Sequence, residues 1–409
     1  MPLDVLLFRE NPEIIRESQK KRFSDPALVD KVIALDQEWK KSRYALDQAR
    51  GELKSLSKKI GLCFRTKGEE RAKAMEEAKK LREESVPEVK ENIARLSEKV
   101  EILLTEREST INLIGNLVGD GVPITHDESE NEVKRKWGTF AMPNVKHVRH
   151  HHELLAMING YDPERGVKVM GHRGYFLTGI GAQLNIALVH YGMDFLRALD
   201  YTPMTTPFFM RKDQMAKTAQ LDDFDEQLYK VSGGAIDSYL IATSEQPISC
   251  FHANEWMKET ELPLRYAGVS TCFRKEAGSH GRDVWGIFRV HQFDKIEQFV
   301  LCAPDESWKM HEVITKNAEH FLQSLNIPYR VVTIASGELN NAAAKKYDIE
   351  CWFPAFMDFR ELVSSSNCTD YQSRALEVRY GTKVGGEKEK KYVHMLNSTL
   401  CATTRAICA

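Results

Sequence analysis

TCFRKEAGSHGRDVWGIFRVHQFDKIE, residues 271–297, reads as two strand-like runs joined by a polar, glycine-containing loop. The first run delivers Arg274 and Glu276, and the loop carries Arg282. The return run GIFRVHQF, from Gly286, brings Arg289 and Phe293 before it continues to Glu297. Strand alternation puts Arg274 and Glu276 on one face, and Arg289, His291 and Phe293 on one face of the return. Charged groups inside strands cost stability unless something pairs with them. Two guanidiniums, a carboxylate and an aromatic ring converging on one hairpin suit a nucleoside triphosphate. Guanidinium forks match phosphate geometry, and an aromatic face can stack on a base.

The surroundings of this hairpin predict an α+β domain. From Trp137 onward short β-rich runs recur: RYAGVSTCF, EQFVLC, YRVVTI, IECWF, ALEVRY and YVHML. Amphipathic helical segments lie between them: AQLNIALVHYGMDFLRAL, SEQPISCFHANEW and SWKMHEVITKNAEHFLQSL. Strands follow one another closely, without a regular βαβ alternation, so a largely antiparallel sheet flanked by helices fits best. No G-x-x-x-x-G-K-[ST] is present. The nearest approach to G-x-G-x-x-G, at Gly179–Leu184, lacks the third glycine and a βαβ setting, which excludes a dinucleotide fold.

The first part of the chain has a different period. Leu28, Val32, Leu35, Trp39, Ser42, Leu46, Ala49, Leu53, Leu56 and Ile60 recur at heptad spacing. So do Val89, Ile93, Leu96, Val100, Leu103, Arg107, Thr110, Ile114 and Leu117. With Gly61–Gly68 as the turn, the two seams predict an antiparallel helical hairpin. Residues 28–60 alone would reach roughly 50 Å at 1.5 Å per residue. Pro87 should kink or interrupt the return helix. Between Lys40 and Lys67 nine Lys or Arg face two acids, a net of +7. Such an excess is either a phosphate-binding face or a solvated helix surface. The expected domains are residues 1–118 with an arm over about 28–115, a linker 119–136, and a domain 137–409.

Bulk composition bounds the rest. Hydrophobic residues at 42 % and charged residues at 28 % fit a globular chain. No apolar run reaches 18 residues, so no transmembrane helix is expected, and the N-terminus does not read as a signal peptide. Eight cysteines occur singly, as reduced thiols in a cytoplasmic protein do, and no structural zinc site is expected. His147, His150, His151 and His152 lack a second ligand cluster and read as a solvated helix start.

Three further motifs give these features a common meaning. Tyr201-x-x-Met204-x-x-Pro207-Phe208-Phe209, then Phe273-Arg274-Lys275-Glu276 with Arg289, then Ser398–Ile407 containing Arg405 follow one another in the order of the three signatures of class II aminoacyl-tRNA synthetases. Asp200 departs from the usual glycine. With Thr243-Ser-Glu245-Gln-Pro247, Glu361–Asp370 and Leu396–Thr399, the chain resembles the seryl-tRNA synthetase family over essentially its whole length, and its cytosolic eukaryotic branch most.

The resemblance implies a serine–tRNA ligase that makes seryl adenylate from L-serine and ATP. It would transfer the seryl group to tRNA(Ser), with tRNA(Sec) as a further acceptor. It implies Arg274, Arg289 and Arg405 as catalytic cations. ATP would be held by Arg274, Lys275, Glu276, Arg289, Val290, Phe293, Glu361, Leu362, Val363, Ser364 and Arg405, with Mg²⁺ on Glu361 and Ser364. Thr243, Ser244, Glu245, Arg274, Glu297, Asn397 and Thr399 would line the serine pocket, and the Ala277–Phe288 loop would meet the tRNA 3′ end. It further implies a helical tRNA-binding arm and a homodimer formed around Leu196–Phe209. The sequence stops at Ala409, four residues after Arg405, so a catalytic domain shortened at its C-terminus is expected. A class II enzyme for another small amino acid and an inactive tRNA-binding paralogue are the competing readings.

Overall fold

The computed structural model describes residues 1–140, 148–218, 227–234, 236–277, 284–381 and 391–409. Arg282, His147 and most of the 385–391 loop lie outside the described residues. The chain forms two compact units, one made chiefly of residues 3–17 and 25–114, the other of residues 18–24 and 115–409.

The first unit is a helical hairpin. One helix spans Ala27–Arg65, and the return comprises Arg71–Lys80, a π-helical turn at Leu81–Ser85, and Val86–Asn112. Pairing of Lys31 with Glu106 (3.3 Å) and of Glu38 with Lys99 (2.8 Å) shows the two long helices running in opposite directions. The buried seam contains Val29, Val32, Leu35, Leu46 and Ala49 facing Val89, Val100, Leu103 and Ile111. Gly61 is helical, so the reversal comes at Thr66–Glu70, later than the glycines suggested. Pro87 interrupts the return only through the π turn just before it. That turn accommodates a residue that cannot donate to the helix. The return helix ends at Asn112, short of Ile114 and Leu117 of the expected seam.

One position in this seam is ionic. Asp36, 2 % exposed, accepts from Arg107 (2.6 Å) and from Arg9 (2.7 and 2.8 Å), with Lys40 at 3.3 Å. Burial alone would raise its pKa, but these cations outweigh that and hold it at about 2. All nine basic residues between Lys40 and Lys67 are exposed.

The second unit is built on an eight-stranded sheet: β1 (Glu132–Trp137), β2 (Thr202–Thr205), β3 (Leu264–Phe273), β4 (Gln292–Cys302), β5 (Tyr329–Thr333), β6 (Lys345–Phe353), β7 (Asp358–Asn367) and β8 (His394–Ala402). Their spatial order is β1-β5-β6-β7-β8-β4-β3-β2, antiparallel throughout except that β2 runs parallel to β3. The expected linker therefore ends early, since Glu132–Lys136 belongs to an edge strand.

Alternation along β4 and β8 sorts the side chains. Ile296, Val300, Leu396 and Leu400 pack with Leu196, Ile314 and Phe321 from the helices Gly179–Arg197 and Ser307–Ser324. Phe299 and Leu301 face the other way, into a core with Ile248, Tyr266 and Leu376. Two expected elements shrink. SEQPISCFHANEW is helical only over Glu245–Ser249, and ALEVRY gives its first two residues to the helix Tyr371–Leu376, closed by Glu377 in a left-handed conformation, and only Arg379–Tyr380 to a strand. All eight cysteines are unpaired, and five of them are buried.

Candidate active site

The hairpin exists, with a shape that differs from strict alternation. β3 ends at Phe273 and β4 begins at Gln292, so Arg289 and His291 are not strand residues sharing a face with Phe293. Ile287, Phe288 and Val290 are all buried, which no alternating strand allows on a one-sided sheet. Gly286 has φ +60, and an added Cβ would strike His151 Nε2 at 2.2 Å. Beyond β3, pairing survives one step further: the Arg274 N–H donates to the His291 carbonyl at 2.9 Å. Glu276 then turns left-handed, at φ 51, which breaks the expected i, i+2 relation with Arg274.

The three arginines lie on separate supports. The Arg274 Nε donates to the Ala242 carbonyl (3.3 Å), and its guanidinium lies over the Phe293 ring at 5.4 Å. Arg289 reaches Glu276 Oε2 at 3.4 Å. Arg405, in the helix Thr403–Cys408, donates to the Glu361 carbonyl (2.8 Å), approaches its carboxylate (3.5 Å) and covers Phe288 at 4.9 Å. Lys275 is half-buried, its N–H on the Gln227 carbonyl.

β7 supplies the next group. Glu361 is half-exposed; partial desolvation disfavours its charge, but Arg405, Lys346 and Arg274 prevail and its pKa is lowered. Ser364 stands opposite Asp348 on β6 and hydrogen-bonds its carboxyl group. Asp348 is buried, and its Oδ1 has no hydrogen-bond partner. Burial, with neighbouring Glu361, pushes its pKa up. Leu362 and Val363 are core residues; Leu362 is the extra residue of a bulge between the β6–β7 pairs Ile349/Val363 and Glu350/Glu361, so only its backbone is offered to the site. Val290 is likewise buried.

A second cluster lies across β3, β4 and β8. Glu297 stands opposite Thr399 on β8 and Gly268 on β3, and Asn397 stands opposite Phe299. A Cβ at Gly268 would lie 2.4 Å from Ile248 and 2.8 Å from Ser244 Oγ, so this glycine lets the Glu245–Ser249 helix close over the sheet. Ser244 is fully buried, and its Oγ has no hydrogen-bond partner. The Thr243 Oγ1 caps the Glu245 N–H at 3.2 Å. Glu245 accepts from Gln372 Nε2 at 2.9 Å. Its pKa rises to about 7, first through burial and then through the nearby charge of Glu297, with Gln372, Lys295 and Arg274 opposing. Lys295 is itself buried, in ion-pair contact with Glu297.

Arg274 is thus felt by Glu245 in one cluster and by Glu361 in the other. Sequence reasoning missed Lys295, Asp348 and Gln372. A lysine two places before Glu297 inside a strand was a visible signal for the first. Asp348 and Gln372 carried none, since only strand register and helix docking bring them in. The histidines were misjudged: His151 is buried and accepts from the Ile287 N–H (3.2 Å), and His150 and His152 pack on Trp285. Burial lowers the His151 pKa to about 4. They brace the turn from inside. Among the described residues no group of three or more His, Cys, Asp or Glu is arranged to hold a metal ion. No helix among them is long and apolar enough to cross a membrane.

Known proteins share this architecture. Residues 229–409 match the tRNA synthetase class II core domain (G, H, P, S and T), and residues 3–118 match the seryl-tRNA synthetase N-terminal domain. The cytoplasmic serine–tRNA ligase of Schizosaccharomyces pombe is 52 % identical over 413 residues, covering 99 % of this chain and 90 % of that protein. The chain belongs to the seryl-tRNA synthetase family. The cytoplasmic serine–tRNA ligase of Dictyostelium discoideum is 53 % identical, covering 100 % of this chain and 89 % of that one. Among solved structures, the cytoplasmic enzyme of Naegleria fowleri in complex with AMP has a TM-score of 0.83 at 46 % identity, covering 99 % of this chain and 92 % of that chain. Pyrococcus horikoshii seryl-tRNA synthetase complexed with ATP has a TM-score of 0.88 at 38 % identity, covering 100 % and 93 %.

Proposed function

We propose that this chain is a cytoplasmic, ATP-dependent serine–tRNA ligase, and that its two clusters are the two halves of one site. The observation that carries the reading is the position of Arg274. Its Nε donates to the Ala242 carbonyl, just before Thr243 and Glu245, its guanidinium lies over Phe293, and its charge bears both on Glu245 and on Glu361, the partner of Arg405. A cation between an amino-acid pocket and a phosphate-binding edge is what adenylate formation requires.

The serine carboxylate attacks the α-phosphorus of ATP, and pyrophosphate leaves. A carboxylate is already a nucleophile, so activation needs no general base. Arg274 grips the α-phosphate and Arg289 and Arg405 the β,γ end, so catalysis is alignment and charge stabilisation. Glu276 and Phe293 receive the adenine. Glu245 and Glu297 take the substrate ammonium and hydroxyl, with Thr399, Asn397 and Ser244 supplying neutral partners. A pocket of such groups rejects alanine because its polar atoms would stay unpaired. The terminal ribose hydroxyl of tRNA then attacks the adenylate.

Mg²⁺ fits the residues present. Glu361, Ser364 and Asp348 offer hard oxygen donors on adjacent strands, and the buried Asp348 Oδ1, without a hydrogen-bond partner, fits a role toward such an ion. When bound, the ion would neutralise phosphate charge, with these carboxylates holding it beside the substrate phosphates.

The exposed basic run Lys40–Lys67 is the tRNA-binding face of the arm, reading backbone shape more than sequence. Exposed Ile180, Leu184, Ile186, Tyr191, Phe208 and Phe209 are the apolar surface through which two copies pair, while Leu196 lies in the core. The test is charging: incubation with ATP, Mg²⁺, labelled serine and tRNA should yield alkali-labile seryl-tRNA. Adenylate formation without charging would reduce the reading to its first step, and charging with threonine or alanine in place of serine would overturn the substrate.

A further inference from the structure

The Gly171–Tyr175 turn belongs to none of the signatures, yet it reaches Glu276 and the residue just before Phe293, the two base-side positions of the site. The turn is rigidly built. Gly171 has φ +87 and Arg173 φ +61. A Cβ on Gly174 would lie 2.4 Å from the Gly166 carbonyl oxygen, and one on Gly166 would lie 2.3 Å from the Tyr175 Cα. Backbone thus packs on backbone, and Arg173 is held in a conformation that side chains seldom adopt. Its side chain is only 4 % exposed, and Nη1 lies 4.0 Å from Glu276 Oε2, on a carboxylate that is 11 % exposed. The same oxygen is 3.4 Å from Arg289 Nη1. Two residues along, the Tyr175 hydroxyl donates to the Gln292 carbonyl at 3.0 Å, immediately before Phe293.

We propose that Arg173 is a positioning residue for nucleotide selection. It fixes the carboxylate of Glu276, and Tyr175 anchors the strand that presents Phe293, so the base is chosen partly by residues that do not touch it. The inference rests on the ligase reading and on Glu276 facing the base. Arg289, placed here on the phosphates, draws the Glu276 carboxylate toward them, and Arg173 opposes that pull. The buried Arg173 guanidinium approaches the same Oε2 as Arg289, so that the other oxygen can face an exocyclic amine. The Arg173–Glu276 pair is ionic rather than hydrogen-bonded, but removing one partner of a buried ion pair costs enough for about a tenfold effect.

The experiment is serine-dependent pyrophosphate exchange with ATP and with purine riboside triphosphate, which lacks the 6-amino group. It is run on the full chain and on Arg173→Ala, Arg173→Lys, Glu276→Ala and the double Arg173→Ala/Glu276→Ala variant, with thermal melts alongside. The wild type should prefer ATP. Arg173→Ala should lose about tenfold of that preference, with the KM for serine unchanged. Arg173→Lys should lose less, and the double variant should discriminate no worse than Glu276→Ala. A purely structural role predicts equal loss with both nucleotides, and that result, or additive losses in the double variant, overturns the proposal. If Arg173→Ala fails to fold, the nucleotide ratio of Arg173→Lys decides in the same way. A wild type without serine-dependent exchange refutes the ligase reading itself; normal exchange with an unchanged ratio in the variants refutes only the role of Arg173.

Discussion

If Glu245 takes the serine ammonium as proposed, serine affinity should depend on pH in a range where few carboxylates titrate. Burial and the neighbouring Glu297 raise its pKa from 4.5 to about 7. On the proposed reading the substrate ammonium would bind the ionised form, so serine and a proton would compete for the same group. A group of pKa about 7 is roughly one-tenth ionised at pH 6 and nine-tenths at pH 8, so the KM for serine should fall about tenfold between them. The KM for ATP should change far less. Binding serine at pH 7 should release a fraction of a proton, read by calorimetry in buffers of different ionisation enthalpy. The linkage to folding has the opposite sense. With a folded pKa above the unfolded one, Glu245 favours the folded state at low pH, and that contribution is lost as pH rises from about 4.5 through about 7. Glu245→Gln should raise the KM for serine at all pH values and flatten the profile. A wild-type KM that stays flat between pH 6 and 8, or a slope that persists in Glu245→Gln, would refute the reasoning.

Other perturbations follow from the same geometry. Arg274→Ala should lower the exchange rate by about 10²–10³ with the thermal midpoint little changed, since one fixed donor to the developing charge is removed. Asp348→Asn should raise the Mg²⁺ concentration for half-maximal exchange by about tenfold or more while leaving the KM for serine unaltered. In the helical hairpin, Asp36→Asn should cost about 2 kcal/mol at neutral pH, read from urea midpoints. Asp36 has a folded pKa of about 2 against 3.8, so its stabilisation is present above about pH 4 and disappears as pH falls toward 2; the variant should lack that loss. Replacing Lys54, Lys58 and Lys59 with Gln should weaken tRNA binding, reduce its salt dependence and leave exchange intact.

What the sequence could announce was periodic or dense. Heptad spacing gave the helical hairpin, because the buried side of a two-helix contact must repeat every seven residues. The strand character of RYAGVSTCF and EQFVLC was legible because both are short runs rich in β-branched, aromatic and other apolar residues. The run GIFRVHQF was misread for a local reason. Its alternation of apolar and charged residues matches a strand, but Gly286 at positive φ and the His151 ring beneath it turn the chain into a buried loop. SEQPISCFHANEW was overextended because its apolar residues line a short helix and then successive turns over the same core.

The site was legible where a charged residue sat inside a strand-like run, as with Arg274 and Glu297. It was illegible where the partner arrives by tertiary packing. Gln372 comes from a helix 127 positions from Glu245, and Asp348 meets Ser364 only through the register of β6 and β7. Arg173 lies in a glycine-rich turn, and nothing local in that turn gives away its approach to Glu276.

The central claim is that one guanidinium joins a serine pocket to a triphosphate site. Amino-acid-dependent pyrophosphate exchange, measured with each of the twenty amino acids on the wild type and Arg274→Ala, tests it most directly. The account predicts exchange with serine, little with threonine or alanine, and loss of the serine signal by about 10²–10³ in the variant. Exchange supported equally by another amino acid, or an undiminished serine signal in Arg274→Ala, would contradict it.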